Sequence, residues 1–246
     1  MDPYFEGKKV IVTGAGKGIG RLLCITLAKQ GAKVIAISRT AKDLESLKHE
    51  NASIEVYSQD ISDWSSTRKL IEDIGLVDML VNNAAVDRKK PYLEIKEEDF
   101  DYLYNTNIKA AFNISQAVVK CMIEKERCGS IVNVSSIAGI NPVHSIGTYS
   151  CTKAALDMMT KSMALEFGPY KIRVNSVNPT VVMTTMGRAA WSAPGVADNI
   201  LKRIPNGRFA EEIDVVNAIV FLLSDKASMI NGIQVPVDGG HHTNFL

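Results

Sequence analysis

Thr13-Gly14-Ala15-Gly16-Lys17-Gly18-Ile19-Gly20 follows the apolar run Val10-Ile11-Val12 and precedes Leu22-Leu23-Cys24-Ile25-Thr26-Leu27-Ala28. Strand, glycine-rich turn and helix in that order constrain the chain strongly. Glycines let the backbone turn sharply and approach a pyrophosphate without a Cβ in the way. The helix that follows aims its free N–H groups and positive dipole end at the phosphates. In this context the turn reads as a dinucleotide site. Gly14, Gly18 and Gly20, with Ile19 between the last two and Gly16 extra, depart from the common G-x-G-x-x-G spacing.

The rest of the chain keeps the same rhythm. Short β-branched runs at 8–12, 33–37, 54–57, 79–82, 130–134, 173–177 and 234–237 read as strands. Pro236 in the last run suggests an edge position. Helical patterns fill 19–30, 41–48, 65–74, 100–124, 149–167 and 213–223. Strands apolar on both faces, alternating with helices, predict an α/β fold. The expected architecture is a single-domain, Rossmann-type, doubly wound parallel sheet of seven strands with helices on both faces. Residues 1–246 form that domain. The connection 179–208 is long enough to predict a substrate lid.

Composition narrows the function class. The chain has 246 residues and a formal net charge of +1, which gives no nucleic-acid footprint and no electrostatic membrane anchor. The first residues lack the basic-then-apolar pattern of an export signal, and no apolar run reaches about 18 residues. A cytoplasmic protein is the expectation. Cys24, Cys121, Cys128 and Cys151 form no C-x-x-C pair and no metal-ligand spacing, so they read as reduced thiols with no metal.

The second strand ends Ala36-Ile37-Ser38-Arg39-Thr40, with no carboxylate where an NAD ribose would be bound. Asp43 and Glu45 fall on the next helix and read as its solvated face. Arg39 stands where a 2′-phosphate would arrive, and its planar fork of donors suits phosphate. Ser38 and Thr40 add hydroxyls, and Lys17 adds a second positive charge. NADPH is the predicted cofactor.

Tyr149 and Lys153 lie one helical turn apart, on one face. A free phenol has a pKa of about 10, and a nearby positive charge lowers it. Such a tyrosine can exchange a proton with a carbonyl or alcohol oxygen. Tyr4…Lys8 and Tyr92…Lys96 share the spacing. Only Tyr149 opens a long helix after a serine-bearing strand end, Val132-Asn133-Val134-Ser135-Ser136. Ser136 is expected at the cleft, where it could bond a substrate oxygen or cap a turn.

Together Thr13-Gly14-x-x-x-Gly18-Ile19-Gly20, Asn82-Asn83-Ala84-Ala85, Asn107, Ser136, Tyr149, Lys153 and Val177-Asn178-Pro179-Thr180 resemble the classical short-chain dehydrogenase/reductases in order and spacing. The resemblance runs along the whole chain, with Ala85 where many members carry Gly. It implies that Tyr149 is the general acid and that Lys153 holds the nicotinamide ribose and depresses the Tyr149 pKa. It implies that Ser136 orients the carbonyl and that Asn107 holds a water linking Lys153 to solvent. Asn83, Ala84 and Ala85 would line the cofactor's inner face. Asp60 and Ile61 would meet the adenine, and Val182 and Thr184 the nicotinamide amide.

Ser38-Arg39-Thr40, the run 178–184, Trp191-Ser192-x-Pro194 and the run 217–225 are similar to one branch of that family. The branch reduces L-xylulose to xylitol, and small α-dicarbonyls such as diacetyl, with NADPH and as a homotetramer. Trp191 would then cover a small polar substrate, or serve as a packing anchor. Val143 and His144 fall in a segment, 137–144, that helps form the pocket and is more apolar than a sugar site requires. Two alternatives follow: a reductase of a bulkier apolar ketone such as a steroid, and a non-catalytic NADPH-binding sensor.

Overall fold

The computed structural model describes residues 3–191, 195 and 197–244. Seven strands form one sheet in the order β3-β2-β1-β4-β5-β6-β7, every neighbouring pair parallel. They are β1 (Lys9–Thr13), β2 (Lys33–Ser38), β3 (Glu55–Ser58), β4 (Met79–Asn82), β5 (Gly129–Val134), β6 (Ile172–Pro179) and β7 (Gln234–Val237). Pro236, which cannot donate to a ladder, sits on an edge strand as its chemistry requires. The helices are α1 (Gly18–Lys29), α2 (Ala41–Glu50), α3 (Trp64–Ile74), α4 (Glu97–Tyr104), α5 (Ala110–Glu124), α6 (Gly147–Phe167), α7 (Thr185–Trp191), α8 (Asp198–Leu201) and α9 (Glu212–Leu223).

Side chains alternate along a strand, so each strand feeds two cores. Val10, Val12, Val34, Ala36 and Val81 pack on one face with Leu23 and Leu27 of α1 and Val215 and Ile219 of α9. Ile11, Ile35, Ile37, Leu80 and Ile131 pack on the other with Ile114 and Val118 of α5 and Met163 of α6. Continuous apolar strands are therefore the signature of a sheet covered on both sides. The strand order reverses between β1 and β4. That reversal opens a crevice at the carboxyl ends of the strands, where open α/β sheets bind ligands.

Two features depart from expectation. The helical pattern at 100–124 is not one helix: α4 and α5 are separated by a π-helical turn, Asn105–Lys109. One inserted residue widens the ladder while leaving the apolar stripe nearly unchanged, so periodicity does not reveal it. The segment 179–208 is not a plain loop either. It carries α7 and α8, and its Ala197 and Ile204 form a satellite core with half-buried Trp191 and with Phe209 just beyond the segment. Ser192 and Pro194 lie outside the described residues.

A polar ladder crosses the interior below the crevice. Asn82 and Asn133 face each other in register on β4 and β5. Asn82 Nδ2 donates to Ser115 Oγ and to Asn133 Oδ1, both at 2.9 Å, and Asn133 Nδ2 donates to Thr160 Oγ1 at 2.8 Å. All four residues are buried. Replacing Asn133 strips partners from Asn82 and Thr160 together, and an unpaired buried polar group costs about 1–3 kcal/mol. Asn133→Ala is expected to lower unfolding free energy by roughly 2–4 kcal/mol in urea titration; a loss under about 0.5 kcal/mol would show that the ladder contributes little.

Candidate active site

A cleft of about 430 Å³ occupies the crevice. Of the residues predicted to hold a cofactor, Gly14, Lys17, Gly18, Ile19, Ser38, Arg39, Thr40, Asp60, Ile61, Asn83, Ala84, Ala85 and Thr184 line it. The N-terminus of α1 faces it through Gly18 and Ile19. The ends of β1 and β4 are clamped together above α1. Thr13 Oγ1 accepts from the Asn83 and Ala84 N–H groups, each at 3.1 Å. Asn83 Nδ2 donates to the Thr13 carbonyl at 2.9 Å and the Gly14 carbonyl at 3.2 Å.

Gly20 does not line the cleft. A Cβ there would run into the Gly14 carbonyl and the Asn83 amide, so this glycine lets α1 pack against the clamp. Val182 is also absent from the lining; it forms an isolated parallel bridge with Ala210 and packs against the core. Asp43 corrects the reading of α2 as a solvated face: it lines the cleft and pairs with Lys17, while Glu45 is exposed. Sequence reasoning also missed Gln59, Tyr102 and Thr106. Gln59 adjoins the predicted Asp60, so proximity was the available signal. Tyr102 and Thr106 arrive from α4 and the π turn, and nothing local marks them.

Ser136, Tyr149 and Lys153 converge at the end of β5. Ser136 Oγ accepts from the Ala138 N–H at 3.1 Å, capping a short 3-10 turn, and is near enough to Tyr149 to act on the phenol. The capping role expected of this serine is present. Lys153 is 2% exposed. Its Nζ donates to the Val134 carbonyl at 2.8 Å and stands 5.5 Å from the Tyr149 ring centroid. Burial lowers its pKa to about 8, with Asp157 opposing. Asp157 is itself held by Asn178 Nδ2 at 2.8 Å and Ser176 Oγ at 3.0 Å, and Asn178 Nδ2 also donates to the Ser136 carbonyl at 3.1 Å. Burial raises the Asp157 carboxyl, and these hydrogen bonds pull it back.

The expected lowering of the Tyr149 pKa by Lys153 is not what the geometry produces. Burial raises the phenol above its ordinary value, the Asp87 carboxylate adds to the rise, and the hydrogen bond with Ser136 opposes it. Desolvation sets the direction of the shift. Asn107 lies inside the π turn and is buried. Its Oδ1 accepts from the Val86 N–H at 2.8 Å, and its Nδ2 donates to the Val86 carbonyl at 2.9 Å and to Thr152 Oγ1 at 3.1 Å. Thr152 Oγ1 in turn donates to the Tyr149 carbonyl at 2.7 Å. The side chain is a brace between the cleft wall and α6.

The predicted substrate residues are less gathered. Val143 and His144 are exposed, and His144 Nδ1 bonds its neighbour Ser145 Oγ at 2.7 Å. Trp191 packs at 6.1 Å from the Phe209 ring, a packing anchor within the 179–208 segment. Tyr92, the competing tyrosine, is 77% exposed beside Gly147. All four cysteines are free, and among the described residues no cluster could hold a metal. No helix of the described residues is long and apolar enough to cross a membrane.

A glycine turn and a cleft of about 430 Å³ at a strand reversal, with half-buried Ser136 and Tyr149 beside buried Lys153, point to a dinucleotide-dependent oxidoreductase. The sequence profile described as short chain dehydrogenase matches residues 8–194. The chain therefore belongs to the short-chain dehydrogenase/reductase family and acts on CH–OH and carbonyl groups. It is 50% identical over 240 residues to the L-xylulose reductase of Homo sapiens, covering 98% of both chains. It is 48% identical over 241 residues to carbonyl reductase [NADPH] 2 of Sus scrofa, covering 98% of this chain and 99% of the relative. Among solved structures, a gluconate 5-dehydrogenase from Burkholderia cenocepacia in complex with NADP and tartrate superposes with a TM-score of 0.91 at 29% identity, covering 98% of each chain.

The depressed Lys153 pKa has a thermodynamic consequence. Its folded value, about 8, lies below the ordinary 10.5, so between those limits the unfolded chain binds more protons than the folded one. The Lys153 contribution to stability should therefore rise with pH across that window. Comparison of wild type with Lys153→Met in urea at pH 8 and pH 10 is expected to move in favour of the wild type at the higher pH; parallel curves would exclude a depressed ammonium.

Proposed function

We propose that this protein is an NADPH-dependent carbonyl reductase that takes L-xylulose to xylitol and reduces small α-dicarbonyls such as diacetyl. The observation that carries the reading is the grouping of Ser136, Tyr149 and Lys153 at the end of β5, beside a cleft whose adenosine end holds Arg39 and Lys17. The relatives named for L-xylulose and for NADPH support the substrate and the cofactor. The residues present fit NADP(H): the N-terminus of α1 faces the cleft, two cations line its far end, and the end of β2 carries no carboxylate.

Bound NADPH supplies the hydride that the carbonyl carbon receives. Everything else falls to the chain. Ser136 orients the carbonyl oxygen. Tyr149, kept protonated by burial, donates the proton to that oxygen as general acid. Lys153 holds the nicotinamide ribose hydroxyls. Asn107 braces Val86 and Thr152 with its amide, and the π turn around it opens the backbone to a relay water. Arg39, Ser38 and Lys17 hold the 2′-phosphate. Val182 acts by backing Thr184 at the nicotinamide end rather than by lining the cleft. The segment 179–208 serves as the substrate lid, with Trp191 anchoring it.

Exposed Phe112, Met158 and Leu165 on α5 and α6 offer apolar surface for subunit contact, which supports self-association; the homotetramer and the cytoplasmic location rest on the resemblance to the reductase branch. One observation favours a second substrate reading. Ile140 and Val143 stand exposed just beyond Ser136, as a pocket for a bulkier apolar ketone would require.

The test follows NADPH consumption with L-xylulose and diacetyl in parallel and NADH as control. Turnover of both with NADPH is expected. Turnover of neither, with a cyclic or steroid ketone reduced instead, would overturn the sugar assignment. Tyr149→Phe is expected to lower kcat by about 10²–10⁴-fold while NADPH binding changes little; undiminished turnover would remove Tyr149 as the acid. Arg39→Ala is expected to raise the NADPH KM by at least about tenfold and leave that for NADH nearly unchanged; an equal effect on both cofactors would place the 2′-phosphate elsewhere.

A further inference from the structure

The adenosine end of the cleft contains a carboxylate that a phosphate site does not call for. Asp43, in the first turn of α2, lines it together with Lys17, Ser38 and Arg39. Lys17 Nζ stands 3.2 Å from Asp43 Oδ2, the lysine side chain 75% exposed and the aspartate 22%.

The two partners differ in freedom. Asp43 is rooted by its backbone and by packing. Arg21 Nη1 donates to the Gly16 carbonyl at 3.4 Å and the Asp43 carbonyl at 3.2 Å, tying the glycine turn to α2. The same guanidinium is fixed by Glu50 at 2.8 Å and Ser46 at 3.2 Å. A Cβ at Gly16 would lie 2.9 Å from Asp43 Cβ and 3.0 Å from Ser38 Oγ, so the carboxylate's root is wedged between the turn and the end of β2. Lys17 instead reaches across on a long, solvated stem. When an anion arrives, the lysine can turn to it and the aspartate stays where it is.

We propose that Asp43 is a specificity-determining residue that competes with the cofactor's 2′-phosphate for Lys17, so that NADPH binds less tightly, and is preferred over NADH by less, than Arg39 and Lys17 alone would give. A phosphorylated cofactor must exchange the Lys17–Asp43 ion pair for a Lys17–phosphate pair and leave a carboxylate beside the new anion. A cofactor with a bare 2′-hydroxyl leaves the pair intact. The inference rests on the 2′-phosphate lying at Arg39 and Lys17, as proposed above.

The experiment titrates wild type, Asp43→Asn, Lys17→Met and the double variant with NADPH and with NADH, following cofactor fluorescence. Asp43→Asn is expected to lower the NADPH Kd about five- to tenfold, the effect of one screened charge, and to leave the NADH Kd within about twofold. In the Lys17→Met background most of that gain should vanish. Unchanged or weaker NADPH binding in Asp43→Asn, equal tightening of both cofactors, or a full gain without Lys17 would each overturn the proposal. Lys17→Met alone separates the two layers. Weakened NADPH binding keeps the phosphate assignment even where Asp43→Asn fails, whereas no effect removes the assignment and the competition together.

Discussion

An ammonium taken out of water needs partners on every side, and the centre of this protein is arranged around one. Lys153 donates to the last carbonyl of β5 and faces Asp157 one turn further along α6. Asp157 is shared with Asn178 on β6, and Asn178 reaches the Ser136 carbonyl. One buried charge thus fixes the relation of β5, β6 and α6. Ser136, two residues past β5, and Tyr149, on α6, the proposed orienting hydroxyl and proton donor, are held by those same elements. Burial of a charge is costly unless paired, so these positions are held by energy as well as by connectivity.

The cofactor end is organised by the backbone instead. The Thr13–Asn83 clamp closes the gap left where the strand order reverses, using a hydroxyl and an amide against main-chain groups. Neutral donors suit that place, because the turn's own N–H groups must remain free for phosphate. The clamp and the Asn82–Asn133 ladder meet at consecutive residues of one strand end. The floor of the reaction site and the wall of the cofactor cleft are therefore one continuous polar seam through an otherwise apolar sheet.

Much of this was legible in the residues. Continuous β-branched runs such as Val10-Ile11-Val12 give a sheet covered on both faces, and Pro236 gives its edge. The glycine turn locates the crevice, and the Ser136 strand end and the Tyr149–Lys153 spacing mark where those three side chains gather. Other features need the third dimension. The π turn at Asn107 shifts helical phase by one residue, which a pattern of 3.6 absorbs. Asp43 looks solvated because its helix is; the packing of the glycine turn against the start of α2, with Arg21 tying their backbone carbonyls, puts its side chain at the cleft. Gly20 reads as a cofactor contact and is a packing contact, since both require a missing Cβ. The Tyr149 phenol was expected to be lowered by its neighbour and is raised by burial, a balance that spacing does not contain.

Lys17 of the cleft and Lys153 of the interior differ in exposure, 75% for the Lys17 side chain and 2% for Lys153. Mobile ions screen the first and scarcely reach the second. Added salt should therefore weaken whatever Lys17 holds and leave the contacts of Lys153 with Val134 and Asp157 nearly untouched. Ionic strength is thus a variable that separates the cleft from the interior behind it.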